Sequence, residues 1–323
     1  MAVYTHLTTE EIGRLLKHYD VGELRSAKGI AEGVSNSNWI IETTQGRFIL
    51  TIYEERTERE GLPYFLALLD HLAAKGSPVP RTIHDRQGNA FRETRGKPVA
   101  LIEYLPGVSI SEPDPARARA VGEALAQVHL DAADFGMERR NSMGPKAWQS
   151  LLFECGDARL ADIGGALADA VERHLADLVA GWPDDLPRGT VHADLFPDNV
   201  LMLDDSVSGL IDFYFACTDL LAYDLAVTHA AWAFDPNGEY RPDIGAALCK
   251  GYAARRRLSQ AEIEAMPLLA RGAAMRFIAT RAYDWIHTPP DALVVRKDPM
   301  PFVRRLKFYT EHGADAFHCL QAG

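Results

Sequence analysis

From Thr190 to Ala216 the chain reads TVHADLFPDNVLMLDDSVSGLIDFYFA. Val200 to Leu203 and Gly209 to Asp212 are short apolar runs. They flank the polar Asp204-Asp205-Ser206-Val207-Ser208, a pattern that predicts a tight antiparallel hairpin. Folding about that turn brings Asn199, just before the first strand, level with Asp212 at the end of the second. An amide oxygen and a carboxylate then converge at one end of the hairpin. Such hard oxygen donors suit Mg²⁺, which keeps several waters and takes few protein ligands. Asp194 precedes Asn199 by five residues, in the loop that enters the hairpin, where it could accept the proton of an attacking hydroxyl.

Outward from this stretch the two halves of the chain differ. Up to about Leu105 the sequence is strand-rich. Ser37 to Thr43 and Arg47 to Tyr53 are β-branched and aromatic and meet at Gln45-Gly46, which predicts a hairpin. Arg56 to Lys75 carries apolar residues at helical spacing and stops at Gly76 and Pro78. Val79 to Ile83, Ala90 to Glu93 and Pro98 to Tyr104 read as further short strands. Beyond Pro106-Gly107, helical periodicity dominates in Pro115 to Leu130, Asp162 to Ala180, Tyr223 to Phe234, Gln260 to Ile286 and Pro301 to Tyr309. The expectation is an α+β chain of two lobes, an antiparallel sheet with one main helix over 1–105 and a mostly helical lobe over 106–323.

Composition narrows the function classes. The 323 residues are 47% hydrophobic and 24% charged, ordinary for a globular protein, with a formal net charge of -11. That charge gives no general attraction to nucleic acid or anionic membrane, so an anionic ligand must be held by local donors. Cys155, Cys217, Cys249 and Cys319 lie far apart, suggesting neither a zinc site nor a disulfide framework. The first residues show no basic segment followed by an apolar stretch, and no apolar run is long enough to span a bilayer. A soluble cytoplasmic protein is expected.

The pattern H-x-D-x(4)-N followed thirteen residues later by Asp, here His192, Asp194, Asn199 and Asp212, resembles kinase catalytic and metal loops. The form HADLFPDN, then LIDF, then LAYDLA is similar to the aminoglycoside phosphotransferase and choline kinase superfamily. No room remains between Asp212 and Tyr223-Asp224-Leu225-Ala226 for the activation segment of protein kinases. The resemblance implies a protein-kinase-like fold, ATP and Mg²⁺ as cofactors, Asp194 as the base and Asn199 and Asp212 as metal ligands. His192 and Asp224 are implied to brace the loop.

Lys28 to Asn38 (KGIAEGVSNSN) has two glycines and small polar residues ahead of a hairpin. It suggests a flexible loop in which Lys28, Gly29, Gly33, Ser35 and Asn36 could cover phosphates. Glu103-Tyr104-Leu105 resembles the hinge whose backbone meets adenine. The superfamily's strand lysine falls on Thr51, which leaves Lys28 or Arg47 to take its part, and the helix glutamate partner would be Glu58 or Glu60.

MAVYT, KGIAEGVSNSNWIIETTQGRFILTIYEER, RRNSMGPKAW and AMRFIATRAYDW are similar to bacterial homoserine kinases of this fold, over nearly the full length. That similarity implies L-homoserine as substrate and a place in threonine biosynthesis. The amino-acid head needs an arginine fork for its carboxylate and an acid for its ammonium. Candidates are Arg139, Arg140, Trp148, Arg276, Arg281 and Asp284. A choline, aminoglycoside or other amino-alcohol kinase, and a non-catalytic nucleotide-binding protein, stand as alternatives.

Overall fold

In a computed structural model of the protein, residues 5–30, 36–54, 59–288 and 296–321 are described. The chain divides into two compact units, one ending at Pro106 and the other beginning at Gly107.

The first unit opens with helix α1 (Thr9–Leu16). Thr8 caps it, accepting from the Glu11 amide while the Glu11 carboxylate accepts from the Thr8 amide at 2.7 Å. Strands β1 (Leu24–Gly29), β2 (Ser37–Thr43) and β3 (Arg47–Ile52) follow, then helix α2 (Leu62–Ala74), β4 (Thr82–Ile83), β5 (Arg92–Thr94) and β6 (Lys97–Glu103). All pairings are antiparallel, in the order β1-β2-β3-β6-β4, with β5 also on β6. Register sets Leu50 opposite Leu101 and Ile52 opposite Val99. Alternation then gives one face its apolar surface, and Ile12, Leu15 and Leu16 of α1 pack with it. Lys28 and Gly29, expected in a loop, lie in β1 opposite Ile40 and Trp39, because the strand continues to the last residue that finds a partner on β2.

The second unit contains α3 (Pro115–Asp131), α4 (Pro145–Cys155), α5 (Asp157–Ile163), α6 (Gly165–Ala180), β7 (Arg188–Val191), β8 (Val200–Leu203), β9 (Ser206–Leu210), β10 (Cys217–Leu220), α7 (Leu221–Trp232), α8 (Pro242–Arg255), α9 (Gln260–His287) and α10 (Met300–Ala316). β7 pairs with β10 and β8 with β9, both antiparallel. Every residue of α7 is buried, as a helix apolar on all sides requires. Two of its polar members find partners: the Thr228 hydroxyl donates to the Asp224 carbonyl at 2.9 Å, and His229 Nδ1 meets the Tyr309 hydroxyl at 2.7 Å. α3 and α8 cross closely through glycines. A Cβ on Gly122 would stand 2.1 Å from the Leu248 carbonyl oxygen, and one on Gly251 2.1 Å from that of Arg119.

Candidate active site

The hairpin β8–β9 turns at Asp204-Asp205, with Leu203 opposite Ser206, so the second strand starts earlier than the polar run suggested. Asp204 takes φ 53° and closes a two-residue turn, which frees Ser206 and Val207 to pair, with Ser208 left over as a bulge. The Ile211 amide donates to the Asn199 carbonyl at 3.0 Å, which sets Asn199 opposite Ile211, one residue short of Asp212. Asp212 is in the left-handed region at φ 65°, a conformation that costs a non-glycine residue energy and turns its carboxylate out of the strand.

The loop from His192 to Leu195 is held by its backbone from two helices. On α7 the Asp224 carboxylate, fully buried, accepts from the His192 and Ala193 amides at 2.7 Å each. It also meets His129 Nε2 of α3 at 3.0 Å. Burial pushes the Asp224 carboxyl up, but the hydrogen bond and charge of His129 outweigh it and hold the group below its usual value. Trp232 Nε1 donates to the Leu195 carbonyl at 3.0 Å, and Arg276 Nη1 of α9 donates to the Ala193 carbonyl. Ala193 sits at φ 64°, and these bonds offset the strain of that turn.

His192 lies inside the hairpin end. Its Nδ1 accepts from the Asp194 amide at 3.2 Å and its Nε2–H donates to the Ile211 carbonyl at 3.0 Å, which fixes the tautomer. Burial lowers its proton affinity, so the ring is neutral. Asn199 gives its Nδ2–H to the Asp194 carbonyl at 2.8 Å, and its Oδ1 is left as an acceptor.

Three carboxylates act on one another here. Burial raises Asp194, while the positive charges of Arg276 and Lys297 pull it down. Asp212 keeps contact with solvent, but crowding by protein atoms that strips part of its water, together with the charges of Asp194 and Asp198, lifts it to about 7. Among the described residues no three His, Cys, Asp or Glu gather to hold a metal. The donors at the hairpin end are one carboxylate and one amide oxygen, in a spot with surplus negative charge. A divalent cation fits that arrangement, because it would relieve the repulsion that lifts Asp212.

The remaining expected residues are scattered. Trp148 is wholly buried, donating Nε1–H to the Met143 carbonyl at 2.6 Å with its ring edge-on to Trp182, so it belongs to the core and not to a substrate surface. Arg276 is 2% exposed and stacks on Phe277 and Phe215, a second correction: its fork serves the loop backbone. Arg139 binds β10, through its amide to Thr218 Oγ1 at 3.2 Å and its Nη1 to the Ala216 carbonyl at 3.3 Å. Arg140 bridges to Thr218, and Asp284 is exposed on α9. Arg281 is half-buried over Phe302 and acts electrostatically on Asp194 and Asp198.

In the first unit Gly33, Ser35 and Glu58 lie outside the described residues, and Glu60 is exposed. Asn36 is buried, its Oδ1 accepting from the Glu54 amide at 3.2 Å. Thr51 is buried on β3 and donates to Asn38 Oδ1 at 2.8 Å. Arg47 is paired with Glu42 at 2.9 Å and lies over the Tyr104 ring. Glu103, at the end of β6 before Leu105, accepts from Arg81. The sequence reading missed Lys97 at the start of β6, which bonds Glu54 and the Thr5 hydroxyl. It also missed His129 and Trp232. Each sits at ordinary helical or strand spacing, and only folding brings it to its partner.

The profile described as "Phosphotransferase enzyme family" matches residues 26–258. A homoserine kinase of Xanthobacter autotrophicus is 48% identical over 96% of this chain and 96% of its own. A homoserine kinase of Brucella anthropi is 49% identical over 96% and 95%. An amicoumacin kinase solved with AMP-PNP, Ca²⁺ and its antibiotic has the same fold at 13% identity, with a TM-score of 0.69 over 94% of both chains. The chain belongs to the phosphotransferase enzyme family, in the company of those homoserine kinases.

Proposed function

We propose that the protein is an ATP- and Mg²⁺-dependent kinase that phosphorylates the side-chain hydroxyl of L-homoserine, a cytoplasmic step of threonine biosynthesis. The observation that carries the reading is near half identity to homoserine kinases over nearly the whole of both chains. The amicoumacin kinase of the same fold, with its bound nucleotide analogue and divalent ion, supports the choice of cofactors.

Asp194 is the base. It sits on a loop whose backbone is fixed from both sides, and its raised proton affinity suits it to take the proton of the attacking hydroxyl. Asn199 Oδ1 and the Asp212 carboxylate would hold Mg²⁺, which when bound offsets charge on the transferred phosphoryl group. His192 keeps the Asp194 amide and the Ile211 carbonyl together, and so holds the base and the hairpin end in register. Orienting a hydroxyl beside such a base is where most of the protein's own contribution to rate arises.

A coupled ADP-release assay with ATP, Mg²⁺ and a panel of L-homoserine, L-serine, choline and kanamycin tests the assignment. Selective turnover of L-homoserine is the expected result. Turnover confined to another alcohol would remove the substrate from the reading. No turnover with any, though ATP binds, would make the protein a non-catalytic nucleotide binder.

A further inference from the structure

Three rings meet next to Asp194. Phe196 of the loop, Phe277 of α9 and Phe302 of α10 have centroids 5.0 Å (Phe196–Phe277), 4.7 Å (Phe277–Phe302) and 6.2 Å (Phe196–Phe302) apart. Two guanidinium groups flank the last of them: Cζ of Arg281 is 4.5 Å, and Cζ of Arg305 4.3 Å, from the centroid of Phe302. Helical spacing puts them there, since Arg281 follows Phe277 by one turn of α9 and Arg305 follows Phe302 by one turn of α10.

Neither guanidinium forms a salt bridge among the described residues, although Asp194, Asp198 and Asp298 act on Arg281 from farther off. Arg281 donates Nη1–H to the Asp298 carbonyl at 3.1 Å. Arg305 has a buried Nε with no hydrogen-bond partner. Burial and the nearby charges of Arg281 and Arg304 draw Arg305 down to about 10. Stacking on an aromatic face returns less than desolvating an unpaired charge costs. Two like charges against one ring are electrostatically incomplete until an anion joins them.

We propose that Arg281 and Arg305 together bind the α-carboxylate of the amino-acid substrate and so select it over amino alcohols; this rests on the kinase reading above. A planar carboxylate has two oxygens for two forks, the geometry in which arginine exceeds lysine. Arg281 acts on Asp194 and Asp198, on the side of the base and hence of the acceptor hydroxyl. Phe196, two residues beyond the base, belongs to the same ring cluster, so the carboxylate held there is that of the acceptor.

The test measures kcat and KM for L-homoserine and for 3-amino-1-propanol, which keeps the amine and hydroxyl but has no carboxylate. The variants are Arg281→Met, Arg305→Met and Arg305→Lys. The preference for L-homoserine should fall about tenfold or more in each methionine variant, through KM, the scale of one charge-assisted bond. Arg305→Lys keeps the stem and the charge but loses the fork. It should lose several-fold of the preference, and it decides the matter if methionine at 305 does not fold. An unchanged preference, or equal losses on both substrates, would show a packing role and overturn the proposal. A wild-type enzyme that phosphorylates 3-amino-1-propanol but not L-homoserine would bring down the substrate assignment, and this proposal with it.

Discussion

Asp194 is a half-buried acid beside Arg276 and the neutral ring of His192, on a backbone that the neighbouring helices keep from moving. Replacing it by alanine removes both a proton acceptor and a positioning contact. Asp194→Ala should lower kcat by about two orders of magnitude or more in the ADP-release assay; retained turnover would refute its role. His229 offers a prediction on stability. It is wholly buried, and burial lowers it to about 3 from a usual value near 6.5. Between those values the unfolded chain binds a proton that the folded chain refuses. Stability is therefore full above about pH 6.5 and declines as pH falls toward 3. At pH 5 the penalty is about 2 kcal/mol. His229→Gln should narrow the gap between the Tm at pH 7 and at pH 5, and an equal gap would rule out His229 as the source. His192, Asp194, Asn199, Asp212 and Asp224 were legible from the sequence because they fall at fixed offsets along one stretch. Arg276, Trp232 and His129 reach the same loop from distant helices, and no local spacing announces that.

At the scale of elements, the periodic stretches were readable where apolar repeats were long, as in α3, α9 and the β2–β3 hairpin. α8 was missed. Its Gly245 and Gly251 lower helix propensity, yet both are there because neighbours come too close for a side chain: His229 Nε2 would lie 2.6 Å from a Cβ at 245. This gives a pair of opposite expectations. In α8, Gly251→Ala gains about 1 kcal/mol of helix propensity. It also drives a Cβ against the Arg119 carbonyl of α3, backbone that cannot turn aside, and overpacking costs about 1–3 kcal/mol. The clash should win and Tm should fall. In α1, nothing lies within 4 Å of a Cβ at Gly13, so Gly13→Ala should raise Tm by the propensity alone. Thermal unfolding followed by circular dichroism compares the two; a rise at 251 would mean that α3 and α8 are not held at this separation.

Across the whole molecule the formal charge is -11, yet Arg276, Arg281, Arg305 and Lys297 collect around the rings beside Asp194. No helix among the described residues is long and apolar enough to cross a membrane. The chain should pass through a heparin column at low salt, and retention there would reveal a cationic face that the net charge conceals. The Asp224 carboxylate clasping the His192 and Ala193 amides has one more outcome. Those two protons can trade with deuterium only when α7, buried along its entire length, is dislodged. Labelled peptides spanning 192–193 should stay protonated until the helical unit itself unravels, so the residues on either side of the reacting group become the slowest clock in the protein.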